Sequence, residues 1–300
     1  MIKIGFVDYY FDNWHTNYYP GFMREAIEKY AYAAEITAAY AYHESPTALN
    51  NAEWCKKMNV RLCSGVQELL ESVDAVMVMA ADNSAWKEEV TADALKSGKP
   101  VFVDKTFAPD METGKRFFAA AKEHGTPVFS SSAQRYCESI IDYLKREKGN
   151  TRFMSTVGPH DLSNYAVHQF EPIVAVMGTG VQRVKAFTVG ERVTQLIMDY
   201  GDGRLASFTQ TPNPWAEFNF MVSDGEKGER LDSSDFYINT MHAILEFFRT
   251  GVPPVSEEET LEVLALIDAA KAARLHPDEW KMCIRDRVLV VSPLVRPREA

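Results

Sequence analysis

Cysteine is scarce, with four in 300 residues (Cys55, Cys63, Cys137 and Cys283) and no C-x-x-C pair. Their wide spacing excludes a disulfide framework and a zinc knuckle, and it fits a chain held in a reducing cytoplasm. The seven histidines form no H-x-x-x-H pair or tight cluster, so no metal site is expected. Long apolar runs are missing as well. The stretch Ala75 to Ala81 falls far below the roughly 18 residues that a membrane helix needs. The start, Met1 to Asp8, reaches an acid and polar residues too early for a signal peptide, so an unexported chain without a membrane partner is expected. Positive charge is in deficit: Lys and Arg number 32 against 42 Asp and Glu, a formal charge of −10. With no basic run to override that balance, nucleic acid is disfavoured and a small molecule is the expected partner.

What is present reads as an ordinary globular protein, 46% hydrophobic and 25% charged, long enough for about two domains. Apolar runs and helical stretches alternate through the first 130 or so residues. Strands are predicted at Ile2 to Val7, Glu35 to Tyr42, Ala75 to Ala81, Val101 to Val103 and Pro127 to Ser130. Helices are predicted between them, the first from about Gly21 to Tyr32 after a polar-aromatic loop. Such alternation implies parallel βαβ units and a doubly wound, nucleotide-binding type of sheet over residues 1–130.

From about Ser131 the texture changes. A helix is predicted from Asn164 to Met177, followed by long alternating segments, Val184 to Val189, Thr194 to Tyr200 and Arg204 to Gln210. Gly201-Asp202-Gly203 joins the last two as a hairpin turn. An open, mainly antiparallel sheet in an α+β domain over 131–281 follows. Helices are expected at Phe236 to Thr250 and at Ser256 to Arg274, the second opening on the capping-box pattern Ser256 to Glu259. The loops Thr211 to Phe220 and Asp224 to Ser234 carry no readable motif. The stretch Met282 to Arg287 resembles the translation of a transposon mosaic end used in sequencing libraries. On that reading 282–300 is a non-native tail and the native C-terminus is missing; the alternative is a genuine terminal strand at Val288 to Val291.

In an open α/β sheet the ligand lies beyond the carboxyl ends of the strands. Four segments then face one crevice: Asp8 to His15; Tyr42-His43-Glu44; Ala80-Ala81-Asp82-Asn83; and Asp104-Lys105-Thr106. Lys105, directly after an apolar strand, is a candidate proton donor or substrate anchor, against the alternative of a solvated loop lysine. His168 is a candidate acid–base group, with Asn164 and Glu171 at helical spacing on its face, against the alternative of a structural histidine. The aromatic cluster Tyr9, Tyr10, Phe11, Trp14, Tyr18 and Tyr19 either packs a contact or stacks on a sugar ring.

The segment Val73 to Tyr136, with Asp82-Asn83, Ser97-Gly98-Lys99-Pro100, Asp104-Lys105-Thr106 and Gln134-Arg135-Tyr136, resembles the glucose–fructose oxidoreductase, inositol dehydrogenase and MocA (Gfo/Idh/MocA) family. Asp104-Lys105-Thr106 sits where that family carries Glu-Lys-Pro. Asn164, His168 and Glu171 sit where it carries Asp-x-x-x-His-x-x-Asp. The resemblance implies a Rossmann domain with an open-sheet domain, and a homo-oligomer. It also implies NAD(P)-dependent hydride transfer to or from a sugar, polyol or related hydroxy compound. It implies NAD or NADP against Val7, Asp8, Tyr10, His15, His43, Ala80, Asp82, Asn83, Asp104 and Lys105. Substrate would meet Lys105, Arg135, Asn164 and His168, with Lys105 on the reacting oxygen and His168 moving its proton.

The chain departs from the family at the turn after the first strand. There G-x-G-x-x-G is expected, and none occurs between Gly5 and Gly21. Two consequences compete: a divergent oxidoreductase with an altered dinucleotide loop, or a non-redox sugar- or nucleotide-binding paralogue of the same fold. His43 and Glu44 leave NAD against NADP open.

Overall fold

A computed structural model describes residues 1–80, 86–147, 149–189 and 193–282. Asp82, Asn83 and the tail from Cys283 lie outside the described residues.

β1 (Ile2–Asp8), β2 (Ala34–Ala41), β3 (Arg61–Leu62), β4 (Ala75–Val78), β5 (Val101–Asp104) and β6 (Val128–Ser131) form a parallel sheet. Its order, β3-β2-β1-β4-β5-β6, is doubly wound and reverses between β1 and β4. β4 and β5 are buried at every position, as strands covered on both faces must be. α1 (Trp14–Lys29) and α2 (Asn51–Met58) cover one face, against Ile4, Phe6, Ile36 and Phe102. α3 (Val66–Ser72), α4 (Lys87–Leu95) and α5 (Met111–Glu123) cover the other, against Val7, Val76 and Val103. Gly5 permits a close approach on this second face: a Cβ there would lie 3.0 Å from Leu69 and 3.1 Å from Val73.

The second sheet contains β7 (Phe153–Gly158), β8 (Arg183–Val189), β9 (Val193–Asp199), β10 (Leu205–Gln210), β11 (Asn219–Ser223), β12 (Gly228–Asp232) and β13 (Trp280–Met282). Its order is β12-β11-β7-β10-β9-β8-β13, antiparallel except for β7 beside β10. Burial alternates along β7 and β9, so one face is covered and the other open. α6 (Glu138–Glu147), α8 (Val167–Met177) and α10 (Glu257–Leu275) supply the cover. A short α7 (Leu162–Tyr165) precedes α8. Among the described residues, no helix is long and apolar enough to cross a membrane.

The chain then returns to the first sheet. Met241, Ile244, Leu245 and Phe247 of α9 (Phe236–Thr250) join the core built on Phe102 and Phe129. Leu261 and Leu264 of α10 pack with Val103 and Phe117, whereas Val263 and Leu266 of the same helix pack with Phe208 and Phe220 of the second sheet. Helices read as part of the second domain therefore serve both cores.

Three expectations change. The polar-aromatic loop is shorter than the sequence suggests, because Asn13 and Thr16 close a capping box that starts α1 at Trp14 rather than near Gly21. The stretch Asn164 to Met177 is two helices, with Asn164 on α7 and His168 on α8. The loops around Phe220 and Glu229 contain the paired strands β11 and β12.

Candidate active site

A cavity of about 220 Å³ opens where the carboxyl ends of the first sheet meet α8. Lys105, His15, His168 and Gln134 contribute its polar groups; Trp14, Tyr19, Tyr165, Phe218, Phe236 and Tyr237 wall it with aromatic rings. Both domains contribute, which explains why no single segment of sequence announces it.

Lys105 follows β5 and is only 3% exposed. Its Nζ lies 3.5 Å from Asn164 Oδ1 and 5.9 Å from the Tyr165 ring centre. The site thus joins Lys105 to the α7–α8 segment. His168 lines the same cavity, and its Nδ1 lies 2.7 Å from Ser132 Oγ, which also accepts from the Gln134 amide. Burial, and then the Lys105 ammonium, hold the His168 imidazole well below its ordinary pKa, so it is neutral near pH 7.

His15 stands at the start of α1 and lines the cavity, 8% exposed. Its Nδ1 is 2.6 Å from Oδ2 of Asp104, a fully buried carboxylate at the end of β5. Apart from this contact neither atom has a partner among the described residues. Asp104 Oδ1 accepts from the Lys105 amide, and the Asp104 carbonyl accepts from Nζ of buried Lys87 at 3.0 Å.

Other predicted residues lie elsewhere. Val7 is wholly in the sheet core and Ala80 is buried after β4. The side chain of Arg135 is not on the cavity. Its guanidinium is held by Glu171 at 3.1 Å and by Glu259, in a buried ion pair between the 3-10 turn Ala133–Tyr136 and helices α8 and α10. Burial raises Glu171 to about pH 7 against the pull of Arg135. Structural charge pairing therefore replaces the expected substrate contact at Arg135. His43 is exposed, its ring tilted against Tyr9 at 4.3 Å and 3.7 Å from Glu89. Tyr9 in turn stacks on Trp86 at 4.6 Å, and Tyr10 meets Tyr9 edge-on. The aromatic cluster splits: Trp14 and Tyr19 wall the cavity, whereas Phe11 is core, stacked on Trp54 at 4.3 Å. Sequence reasoning did not single out Tyr165, Phe218, Phe236 or Tyr237. They are ordinary aromatics until the two domains meet.

Residues 20–132 match the sequence profile of Gfo/Idh/MocA, described as "Oxidoreductase family, NAD-binding Rossmann fold". The N-terminal domain belongs to this oxidoreductase family. No curated protein matches the sequence. The fold is shared with apo scyllo-inositol dehydrogenase from Lactobacillus casei, which is 14% identical, with 94% of this chain and 98% of that one covered at a TM-score of 0.77. An oxidoreductase from Agrobacterium radiobacter in complex with NAD+, L-tartaric acid and magnesium is 12% identical, covered 94% and 98%, at 0.73. UDP-N-acetylglucosamine 3-dehydrogenase from Acidithiobacillus ferrooxidans is 15% identical, covered 91% and 97%, at 0.70.

The Gfo/Idh/MocA match begins beyond the β1–α1 turn, and that turn does not fit a dinucleotide held in a glycine cradle. Amide donors that would face a pyrophosphate are already used: Tyr9 N on Asp8 Oδ1, Phe11 N on Asn51 Oδ1, and Thr16 N on Asn13 Oδ1. The Asp8 carboxyl is 2% exposed, and burial pushes its pKa up to about 7. At an effective dielectric of about 20, a carboxylate about 5 Å from a phosphate charge is repelled by ~3 kcal/mol. The cavity end fits better. There Lys105 and two imidazoles face a space with aromatic walls, which suits a polar ring compound beside a planar one.

Proposed function

We propose that this chain is an NAD(P)-dependent oxidoreductase that moves hydride to or from a sugar, polyol or related hydroxy compound bound in the aromatic-walled cavity. The observation that carries the reading is the convergence of Lys105, from the first domain, and His168, from the second, on one cavity. Oxidising an alcohol removes a proton from oxygen and a hydride from carbon; nicotinamide, when bound, supplies the hydride acceptor. The protein's share is to hold the oxygen and take the proton. Lys105 donates a hydrogen bond to the reacting oxygen and stabilises alkoxide character, while a cavity imidazole, His168 being the family-position candidate, handles the proton. Asn164 orients Lys105 through the contact between Oδ1 and Nζ. The aromatic walls exclude water and stack against the apolar face of a sugar ring.

Three further features belong to this reading. The chain assembles with copies of itself through the open face of its second sheet, where Phe153, Leu205 and Met221 are 39%, 41% and 47% exposed. Cys55, Cys63 and Cys137 are buried free thiols, in keeping with a reducing cytoplasm. The choice between NAD and NADP is made at the exposed His43 and Glu44.

The occupied turn around Asp8 favours a second reading, a non-redox sugar-binding paralogue. Titration with NADH and NADPH, read by tryptophan fluorescence, separates the two. Micromolar to sub-millimolar binding, with turnover of a cyclitol or hexose, supports the oxidoreductase. A folded protein that binds a sugar but neither dinucleotide supports the paralogue.

A further inference from the structure

We propose that the proton-accepting base of this cavity is His15, held by Asp104. This inference rests on the oxidoreductase reading but names a different proton acceptor from the one the family position suggests.

The argument turns on where positive charge can form. A base that takes a hydroxyl proton becomes a cation, and in a buried site a cation needs a nearby anion. His168 lacks one. Its Nδ1 partner is the neutral hydroxyl of Ser132, its neighbour four residues before is Asn164 rather than an acid, and the Lys105 ammonium adds a like charge. Glu171, on the same helix, is committed to Arg135 and to Ser131 Oγ. His15 has what His168 lacks, since the buried Asp104 carboxylate lies 2.6 Å from its Nδ1. A proton on Nδ1 facing that carboxylate leaves the lone pair on Nε2 of a ring that lines the cavity. A carboxylate that fixes the tautomer of an imidazole and then balances its charge is the logic of an Asp-His pair.

Asp104 is itself anchored so that it cannot turn away. Oδ1 accepts from the Lys105 amide, and Lys87 Nζ binds the Asp104 carbonyl. One short segment, Asp104-Lys105, then supplies both the partner of the base and the cation for the substrate oxygen. In the oxidative direction the substrate O–H bond breaks and its proton passes to His15 Nε2. A bound nicotinamide dinucleotide would supply the acceptor for the carbon-bound hydrogen and its electron pair, leaving a carbonyl. His168, neutral, remains a hydrogen-bond partner of substrate, and Asp104 is a positioning residue.

The test has two arms on the full-length protein. The first is histidine 15N NMR without any ligand. The expected result is the Nδ1–H tautomer for His15, lost in a folded Asp104→Asn protein; an Nε2–H tautomer in wild type overturns the proposal. The second is steady-state oxidation of cyclitols and hexoses with NAD+ and NADP+. His15→Gln is expected to lower kcat by 100-fold or more while KM changes by less than threefold, the size usual for a general base. His168→Gln is expected to act mainly on KM. A His15→Gln protein that keeps kcat within threefold of wild type overturns the assignment. If wild type binds no dinucleotide, the oxidoreductase reading fails by itself, and the NMR arm still decides whether His15 is held ready as a base.

Discussion

Asn13 Nδ2 donates a 2.8 Å hydrogen bond to Asp8 Oδ2, so the turn between β1 and α1 closes on a carboxylate of its own chain. An internal anion held by a helix cap and a turn amide occupies the surroundings that glycine turns offer to phosphate.

That relationship sets a pH dependence. Asp8 has a folded pKa of about 7 against an ordinary 3.8, so between those values the folded state keeps a proton that the unfolded state has released. Its contribution to stability is therefore greatest at the acid end, declines as pH rises, and is a full penalty above about pH 7. Asp8→Asn is expected to raise Tm relative to wild type more at pH 8 than at pH 5, by differential scanning calorimetry. NADH affinity should likewise weaken through pH 7 in wild type and stay flat in Asp8→Asn. Parallel affinity curves for the two proteins would show that Asp8 does not face the phosphates.

Lys105→Met keeps the buried stem and removes the ammonium. Turnover is expected to fall by about 10²-fold or more, the scale for losing one preorganised donor to a developing oxyanion. Dinucleotide affinity should stay within threefold, measured by fluorescence titration.

Arg135 answers for stability, in contrast to Lys105. Arg135→Met strands Glu171 and Glu259 around a buried site, and breaking such a pair costs about 3–5 kcal/mol. Urea unfolding should show that loss. A variant of wild-type stability with a raised substrate KM would return Arg135 to the cavity.

Ile197 and Met221 lie on the open face of the second sheet, half-buried and exposed respectively. Ile197→Asp with Met221→Asp should convert an oligomer to monomers by light scattering, with little change in secondary structure by circular dichroism.

Much of this was legible in the chain. Apolar strands such as Ala75–Val78, the Asp-Gly hairpin between β9 and β10, and the Ser256 capping box are local signals, and each is found where its residues put it. The short strands β11 and β12 were not legible, because Asn219–Ser223 and Gly228–Asp232 gain their order by pairing with each other and with β7. The site divides in the same way. Lys105 and His168 stand out through motif spacing, whereas the closeness of His15 to Asp104 joins residues 89 positions apart and has no periodicity to reveal it. Arg135 misled for a related reason, since a guanidinium beside a motif looks identical whether it meets substrate or, as here, Glu171 and Glu259.

α10 carries one further implication. Leu261 and Leu264 wedge into one core while Val263 and Leu266, on neighbouring positions, wedge into the other, so the helix acts as a common axle pinned in both sheets. A hinge that swings the two halves apart would have to pull apolar side chains from one socket or the other. Opening of the cavity therefore has to come from movements smaller than a hinge between the sheets, and the two halves should melt in a single transition.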